Sequence, residues 1–294
     1  MAEPLFKRLT IIGIGHIGAS IAGALKLHPG TVAHLVISDA SSTHLKRAEE
    51  LELGDEYIAS AAAAVQGADA VILCTPVGSF AAIAEAIAPY LVSGCILSDV
   101  GSTKRSVIRD VSPFIPKDVF FVPAHPMAGT EFSGPDAGVA TLFEGRWCLL
   151  TPIDDNEEAA AKIETLWQTL GALPARIKAE HHDRVLAIVS HLPHLIAFII
   201  CGTADDLADE TRDKVLQFAA TGFRDFTRIA ASDPVMWRDI FLNNKDALLE
   251  MLSRFCEDTQ AMARAVRRGD ANYIEDRINR SRKIRKNLID IKQA

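Results

Sequence analysis

Paired cysteines are what this chain most plainly lacks. Its five, Cys74, Cys95, Cys148, Cys201 and Cys256, are scattered and odd in number, and none forms a C-x-x-C pair. That argues against a disulfide framework or a structural zinc and suits a reducing, cytoplasmic setting. Positive charge is also in deficit. A formal net charge of −7 argues against nucleic acid or an anionic membrane as partner, because both need a basic surface. The one basic stretch, Arg277 to Lys292, is interleaved with apolar residues at helical spacing and reads as a solvated helix face. The N-terminus, MAEPLFKRLTII, runs almost directly into the first apolar segment and leaves no room for a signal peptide. The most apolar later segment, Val185 to Cys201, is interrupted by His191, Pro193 and His194, so it reads as a buried helix and not a membrane span. There is no internal repeat, and low complexity is confined to Ala61–Ala64.

What is present points to a globular protein. At 294 residues, 49% hydrophobic and 23% charged, the chain is long enough for a large core and for two domains. Its organising stretch is Leu9 to Ala24, LTIIGIGHIGASIAGA. A short apolar run turns on glycines and continues into apolar positions at helical spacing, the pattern of strand, tight turn and helix. Gly13, Gly15 and Gly18 fit G-x-G-x-x-G: the first permits the turn, the second lets a pyrophosphate approach the main chain, and the third lets helix and strand pack closely. The helix N-terminus, with His16 and Ile17, then faces the phosphates. A second apolar run, Val32 to Ile37, ends at Asp39, where a carboxylate would bind the adenine ribose hydroxyls and repel a 2′-phosphate. This reads as NAD. The alternative is that Asp39 merely caps the helix beginning near Ser42.

Up to about residue 178, short apolar strands alternate with amphipathic helices, the pattern of a doubly wound, mostly parallel α/β sheet covered on both faces. Ligands of such sheets bind at the carboxyl ends of the strands. Those ends carry Cys74-Thr75-Pro76-Val77, then Asp99-Val100-Gly101-Ser102-Thr103-Lys104, then Pro123-Ala124-His125-Pro126-Met127-Ala128-Gly129-Thr130-Glu131. Each could also be an ordinary strand-to-helix loop. From residue 179 to 294 strand signals vanish and an all-helical domain is expected, with Ser232 or Asp233 before Pro234 as a helix start. Its apolar excess, for instance Phe241, Leu242, Leu248, Leu249, Met251, Leu252 and Phe255, indicates burial in a bundle or against a second subunit, so a homodimer is expected. His125 is the candidate base: an imidazole titrates near neutrality, and Pro126 biases it towards extended backbone.

The segments GIGHIGAS, CTPV, DVGSTK, HPMAGTEFSG, SHLPH, DFTRIA and SDPVMWRDIF together resemble the prephenate and arogenate dehydrogenases of tyrosine biosynthesis. The resemblance runs from about Leu9 to Asn243. It implies a Rossmann-type NAD domain at 1–178, a helical substrate and dimerisation domain at 179–294, and oxidative decarboxylation of prephenate, arogenate or both. By the same resemblance His125 deprotonates the ring hydroxyl and Ser102 hydrogen-bonds it beside the nicotinamide. His194 lies near the substrate, Arg228 clamps the ring carboxylate, and Thr130 and Glu131 line the pocket mouth, with Trp237 nearby. Thr75 joins the cofactor site. Arginine suits the clamp because its planar fork pairs both carboxylate oxygens, although Asp225 and Arg228 could instead be a surface i, i+3 pair.

No metal is expected. His191 and His194 share a helix face, but no carboxylate or thiol completes a site. Departures from the best-known members are omissions: no chorismate mutase segment precedes Leu9 and no regulatory domain follows the helices. Inhibition by tyrosine, if present, would therefore act at the active site. The competing readings are another two-domain dehydrogenase, of the imino-acid reductase or β-hydroxyacid type, and a catalytically silent NAD-binding protein.

Overall fold

The computed structural model describes residues 3–153, 156–207, 214 and 217–290. The chain forms two compact units, Met1–Lys245 and Asp246–Ala294.

The first unit is built on a six-stranded parallel sheet of β1 (Leu9–Ile12), β2 (Leu35–Ser38), β3 (Glu56–Ile58), β4 (Ala70–Leu73), β5 (Ile96–Asp99) and β6 (Phe120–Val122), in the order β3-β2-β1-β4-β5-β6. Every residue of β1, β2, β4 and β5 is buried, as parallel strands covered on both faces require. Alternate side chains feed two cores. Ile11, Ile37 and Ile72 pack with Ile21 and Trp167 on one face; Ile12, Val71 and Leu73 pack with Phe80 and Val107 on the other. The covering helices are α1 (His16–Leu27), α2 (Ser42–Glu50), α3 (Ala61–Ala64), α4 (Phe80–Ile87), α5 (Arg105–Val111) and α6 (Glu157–Thr169). Strand order reverses between β1 and β4, so the crevice beyond their carboxyl ends is the switch point of the sheet. Gly13 and Thr75 meet there.

Two differences from the sequence reading follow from short strands. β3 has only three residues at the sheet edge, too few for its periodicity to show. His125 does not lie in a loop: β7 (Ala124–Pro126) pairs antiparallel with β8 (Trp147–Leu150), and β8 pairs in parallel with β9 (Leu173–Arg176), forming a separate three-stranded sheet. Pro123, which has no N–H to donate, breaks the run between β6 and β7, and its carbonyl accepts from Thr151 N at 2.9 Å.

After residue 178 the described secondary structure is helical: α7 (Ala179–Leu186), α8 (Leu192–Asp205), α9 (Thr221–Thr227) and α10 (Pro234–Asn243) belong to the first unit. Asp233 caps α10, accepting from Met236 N at 2.8 Å, with Pro234 in the first turn. Between α7 and α8, Ala187–His191 forms a wide π-helical turn. Pro193 explains it, since its ring cannot donate to the carbonyl four residues back. The apolar stretch 185–201 is helical as expected but only partly buried within the single chain: Leu186, Ala187, Leu192 and Ala197 are buried. Ile188, Val189 and Ile199 are about half exposed, at 48%, 58% and 55%. The run 179–205 is also long and apolar enough to cross a membrane by length and composition.

The second unit contains most of α11 (Lys245–Arg268) and all of α12 (Ala271–Asp290), joined at Gly269, whose φ of +66° makes the turn. Arg277 pairs with Asp258 across the hairpin. Beside that pair a cavity of about 630 Å³ is lined by Phe255, Met262 and Val266. Lys292, at the end of the basic stretch, lies outside the described residues.

The close approach of α1 to β1 is testable. A Cβ on Gly18 would sit 2.1 Å from the Gly13 carbonyl oxygen, a backbone atom that cannot step aside. Gly18→Ala is expected to destabilise the fold by about 1–3 kcal/mol, the range for overpacking. An unchanged thermal midpoint would contradict this packing.

Candidate active site

The loop after β5 is anchored by a fully buried ion pair. Lys104 Nζ donates to Asp99 Oδ2 at 2.5 Å and to the Ala124 carbonyl at 2.6 Å. Asp99 also accepts from Gly101 N at 2.7 Å and from Ala124 N at 3.2 Å. Burial pushes Asp99 up and Lys104 down, against the attraction between them. The Ser102 loop and the residue before His125 are therefore tied to the same two charges.

His125 is buried, and its Nδ1 lies 2.9 Å from His182 Nε2. His182 Nδ1 in turn lies 2.8 Å from Asp183 Oδ1. Asp183 also accepts from Lys104 N at 2.8 Å and Arg105 N at 3.0 Å, which caps α5 from α7. Burial pushes the Asp183 carboxyl up, but the hydrogen bonds from His182, Lys104 and Arg105 outweigh it and hold the group below its ordinary value. It is an ionised acceptor, so His182 Nδ1 must donate to it. His182 Nε2 is then left to accept from His125 Nδ1–H, and His125 Nε2 carries the free lone pair.

Next along the helical side, Asn244 Nδ2 donates to the Asp183 carbonyl at 2.8 Å and to His191 Nδ1 at 3.1 Å. The main chain of Ser102 adjoins His191. His194 Nδ1 donates to the Ser190 carbonyl at 2.9 Å, and its ring stacks on Trp237 with centroids 3.7 Å apart. Arg228 is close enough to depress His194 further, after burial. Arg228 Nη1 donates to Glu131 Oε2 at 2.8 Å, joining the loop after β7 to the helices. Arg228 is thus paired with Glu131, where the sequence leaves a surface i, i+3 pair with Asp225 open as the alternative. Thr130 is exposed, its hydroxyl accepting from Phe132 N at 3.3 Å. His182, Asp183 and Asn244 were not singled out from sequence. The only signal was the run His181-His182-Asp183, which also suits a solvated helix face.

On the nucleotide side, Gly13 adopts φ +98° against Cys74 and Thr75. Gly15 precedes α1, and a Cβ there would meet nothing within 4 Å. Asp39 accepts from Ile14 N and from Ser41 N, both at 2.8 Å. Ser41, not Asp39, caps α2. Thr75 Oγ1 is 2.8 Å from Ser79 Oγ, which itself donates to the Pro76 carbonyl, so Thr75 is the donor of that pair. His16 Nδ1 donates to the Ala137 carbonyl at 2.7 Å. Ile17 is half-buried in the first turn of α1. Among the described residues no group of three or more histidine, cysteine or acidic side chains could hold a metal ion.

Residues 21–175 match the family model for the nucleotide-binding domain of prephenate dehydrogenase, and residues 178–279 match its dimerisation domain. The chain belongs to the prephenate dehydrogenase family. Among its relatives in this family, the cyclohexadienyl dehydrogenase of Zymomonas mobilis is 40% identical over 96% of both chains. The prephenate dehydrogenase of Bacillus subtilis is 34% identical, over 90% of this chain and 72% of that one. The crystal structure of Aquifex aeolicus prephenate dehydrogenase in complex with hydroxyphenyl propionate and NAD+ superposes with a TM-score of 0.88 at 29% identity, covering 96% of this chain and 98% of that one.

Burial of the histidines sets an acid limit. Burial is the largest cause holding His125, His182, His191 and His194 below the ordinary value of 6.5, with His191 pushed down to about 4. The unfolded chain binds protons at these positions as pH falls through 6.5, while the folded chain does not, so acid favours unfolding. The thermal midpoint is expected to hold above about pH 6.5 and to decline between there and about pH 4. A midpoint unaffected across that window would show that these imidazoles are not buried neutral.

Proposed function

We propose that this chain carries out NAD-dependent oxidative decarboxylation of prephenate, arogenate or both, in tyrosine biosynthesis. The observation that carries the reading is His125: its Nδ1 is committed to His182, which leaves Nε2 as an unprotonated base. The nucleotide-side residues fit NAD. Gly15 leaves open space over the N-terminus of a twelve-residue helix with no acidic residue in its first turn. His16 Nε2 is buried without a hydrogen-bond partner among the described residues. Gly13, Gly15, His16, Ile17 and Gly18 would hold the pyrophosphate, Asp39 the ribose, and Thr75 and Ser102 the nicotinamide end. NAD, when bound, accepts a hydride from the ring carbon bearing the hydroxyl.

The chain's own groups do the rest. His125 Nε2 takes the hydroxyl proton while Ser102 hydrogen-bonds the same oxygen, and aromatisation drives the loss of carbon dioxide. Arg228 clamps a substrate carboxylate. Its side chain is 60% exposed, so its bond to Glu131 is worth only about 0–1 kcal/mol and is readily exchanged for the substrate. His194, held flat against Trp237, lines the same site, with Thr130 and Glu131 at its mouth. Tyrosine shares the ring hydroxyl and a carboxylate, so it would compete for the same groups.

Two helical surfaces support a homodimer: the half-exposed Ile188, Val189 and Ile199 in the first unit, and Leu249, Val266, Ile278 and Ile284 in the second. All five cysteines are unpaired, which supports a cytoplasmic enzyme.

The test is to supply purified protein with NAD and each substrate and follow NADH absorbance. A rise with at least one substrate is expected, and none with either would refute the reading. His125→Asn should lower kcat by about 10²–10⁴-fold with NAD affinity retained. Arg228→Ala should act chiefly on KM.

A further inference from the structure

We infer that Asp183 is a positioning residue serving both halves of the site. Through His182 it keeps the proton of His125 on Nδ1, and through the amides of Lys104 and Arg105 it holds the Ser102 loop in register with that base. The inference rests on the catalytic reading of His125 given above and extends it to two groups that never touch substrate.

The geometry leaves little choice of proton arrangement. Three N–H groups converge on the Asp183 carboxylate, His182 Nδ1 at 2.8 Å, Lys104 N at 2.8 Å and Arg105 N at 3.0 Å. A carboxylate can only accept, so His182 Nδ1 is protonated and its Nε2 is not. His125 Nδ1, 2.9 Å away, must then supply the hydrogen between the rings. The reverse arrangement would put the proton on His125 Nε2 and leave no base facing the substrate. Asp183 does not itself accept the substrate proton. The O–H bond of the ring hydroxyl breaks and an N–H bond forms at His125 Nε2. The electron pair stays on oxygen to become the carbonyl as NAD takes the hydride, and the protons on His125 Nδ1 and His182 Nδ1 stay where they are. The anion two rings away faces the imidazolium as it forms.

The same carboxylate has a second task. Lys104 precedes α5 and provides no side-chain cap, so the first amides of this helix are satisfied from α7. The Ser102 loop is thereby fixed to the element that carries His182. Asn244 braces the arrangement by donating to the Asp183 carbonyl. A displacement of α7 would move the tautomer lock and the Ser102 loop together.

The test compares Asp183→Asn, His182→Gln and His182→Leu in the full-length protein. In Asp183→Asn the anion is lost and at least one N–H contact fails in either amide orientation: with NH2 towards His182 both rings reverse, and with NH2 towards Arg105 N the start of α5 is released. Replacing the carboxylate behind a catalytic histidine by its amide costs about 10⁴-fold in serine-protease triads, and a fall in kcat of at least 10²-fold is expected here. The dissociation constant for NAD should stay within about twofold. In His182→Gln the longer amide places its oxygen where His182 Nε2 stood and still accepts from His125 Nδ1–H, so kcat should stay within about tenfold of the wild type, whereas His182→Leu should lose about 10²-fold or more. Nitrogen-15 spectra of histidine-labelled protein, assigned with His125→Asn, should show His125 protonated on Nδ1 in the wild type.

Equal kcat for His182→Gln and His182→Leu would overturn the inference, as would a wild-type His125 protonated on Nε2. The His182 pair decides the matter even if Asp183→Asn fails to fold. A wild-type protein inactive on both substrates would instead defeat the catalytic reading, while the spectra would still report where the proton sits.

Discussion

A lysine ammonium without access to water must be held by its neighbours, and those of Lys104 are the Asp99 carboxylate and the carbonyl of Ala124. Removing one partner from such a buried pair typically costs about 3–5 kcal/mol, so the contact is a strong constraint on geometry even where its net contribution to stability is small. It draws β7, a three-residue strand in a separate sheet, against the end of β5. Everything chemical follows from that junction. Ser102 lies between the two partners in sequence, and His125 directly follows the carbonyl that Lys104 holds.

The helical part of the first unit completes the junction from the other side. Asp183 caps α5 while orienting His182, and His182 orients His125. Asn244 links the Asp183 main chain to His191, and the stack of His194 on Trp237 continues the line to Arg228 and Glu131. The charges vary along this line. At the His125 end, burial and nearby positive groups keep imidazoles neutral, which suits a base. At the Arg228 end, the guanidinium is exposed and only loosely neutralised, which suits the capture of an anion arriving from water.

Much of this could be read in the sequence because particular residues have few alternatives. Gly13 needs a positive φ, Gly18 allows close packing, and the motif around His125 marks where the last apolar run of the parallel sheet ends. Arg228 and Glu131 were singled out by resemblance, and they meet although 97 positions apart. Other features were hidden for physical reasons. Lys104 looks like any surface lysine until the fold removes water from it. His182 and Asp183 are neighbours on a helix, a pattern equally at home in solvent, and only the approach of α5 makes them a relay. β7 is too short to show alternation. The helix after Ala187 reads as buried from its hydrophobicity, but a single chain leaves Ile188, Val189 and Ile199 about half exposed, which hydrophobicity alone does not reveal.

The account depends on His125 and Arg228 gripping opposite ends of one small molecule. A crystal structure with NAD and a para-hydroxyphenyl carboxylate bound tests this most directly. The ring hydroxyl is predicted within about 2.6–3.2 Å of His125 Nε2, with Ser102 on the same oxygen and Arg228 released from Glu131 onto the carboxylate. A ligand bound in the crevice with its hydroxyl away from His125, or its carboxylate away from Arg228, would contradict the account.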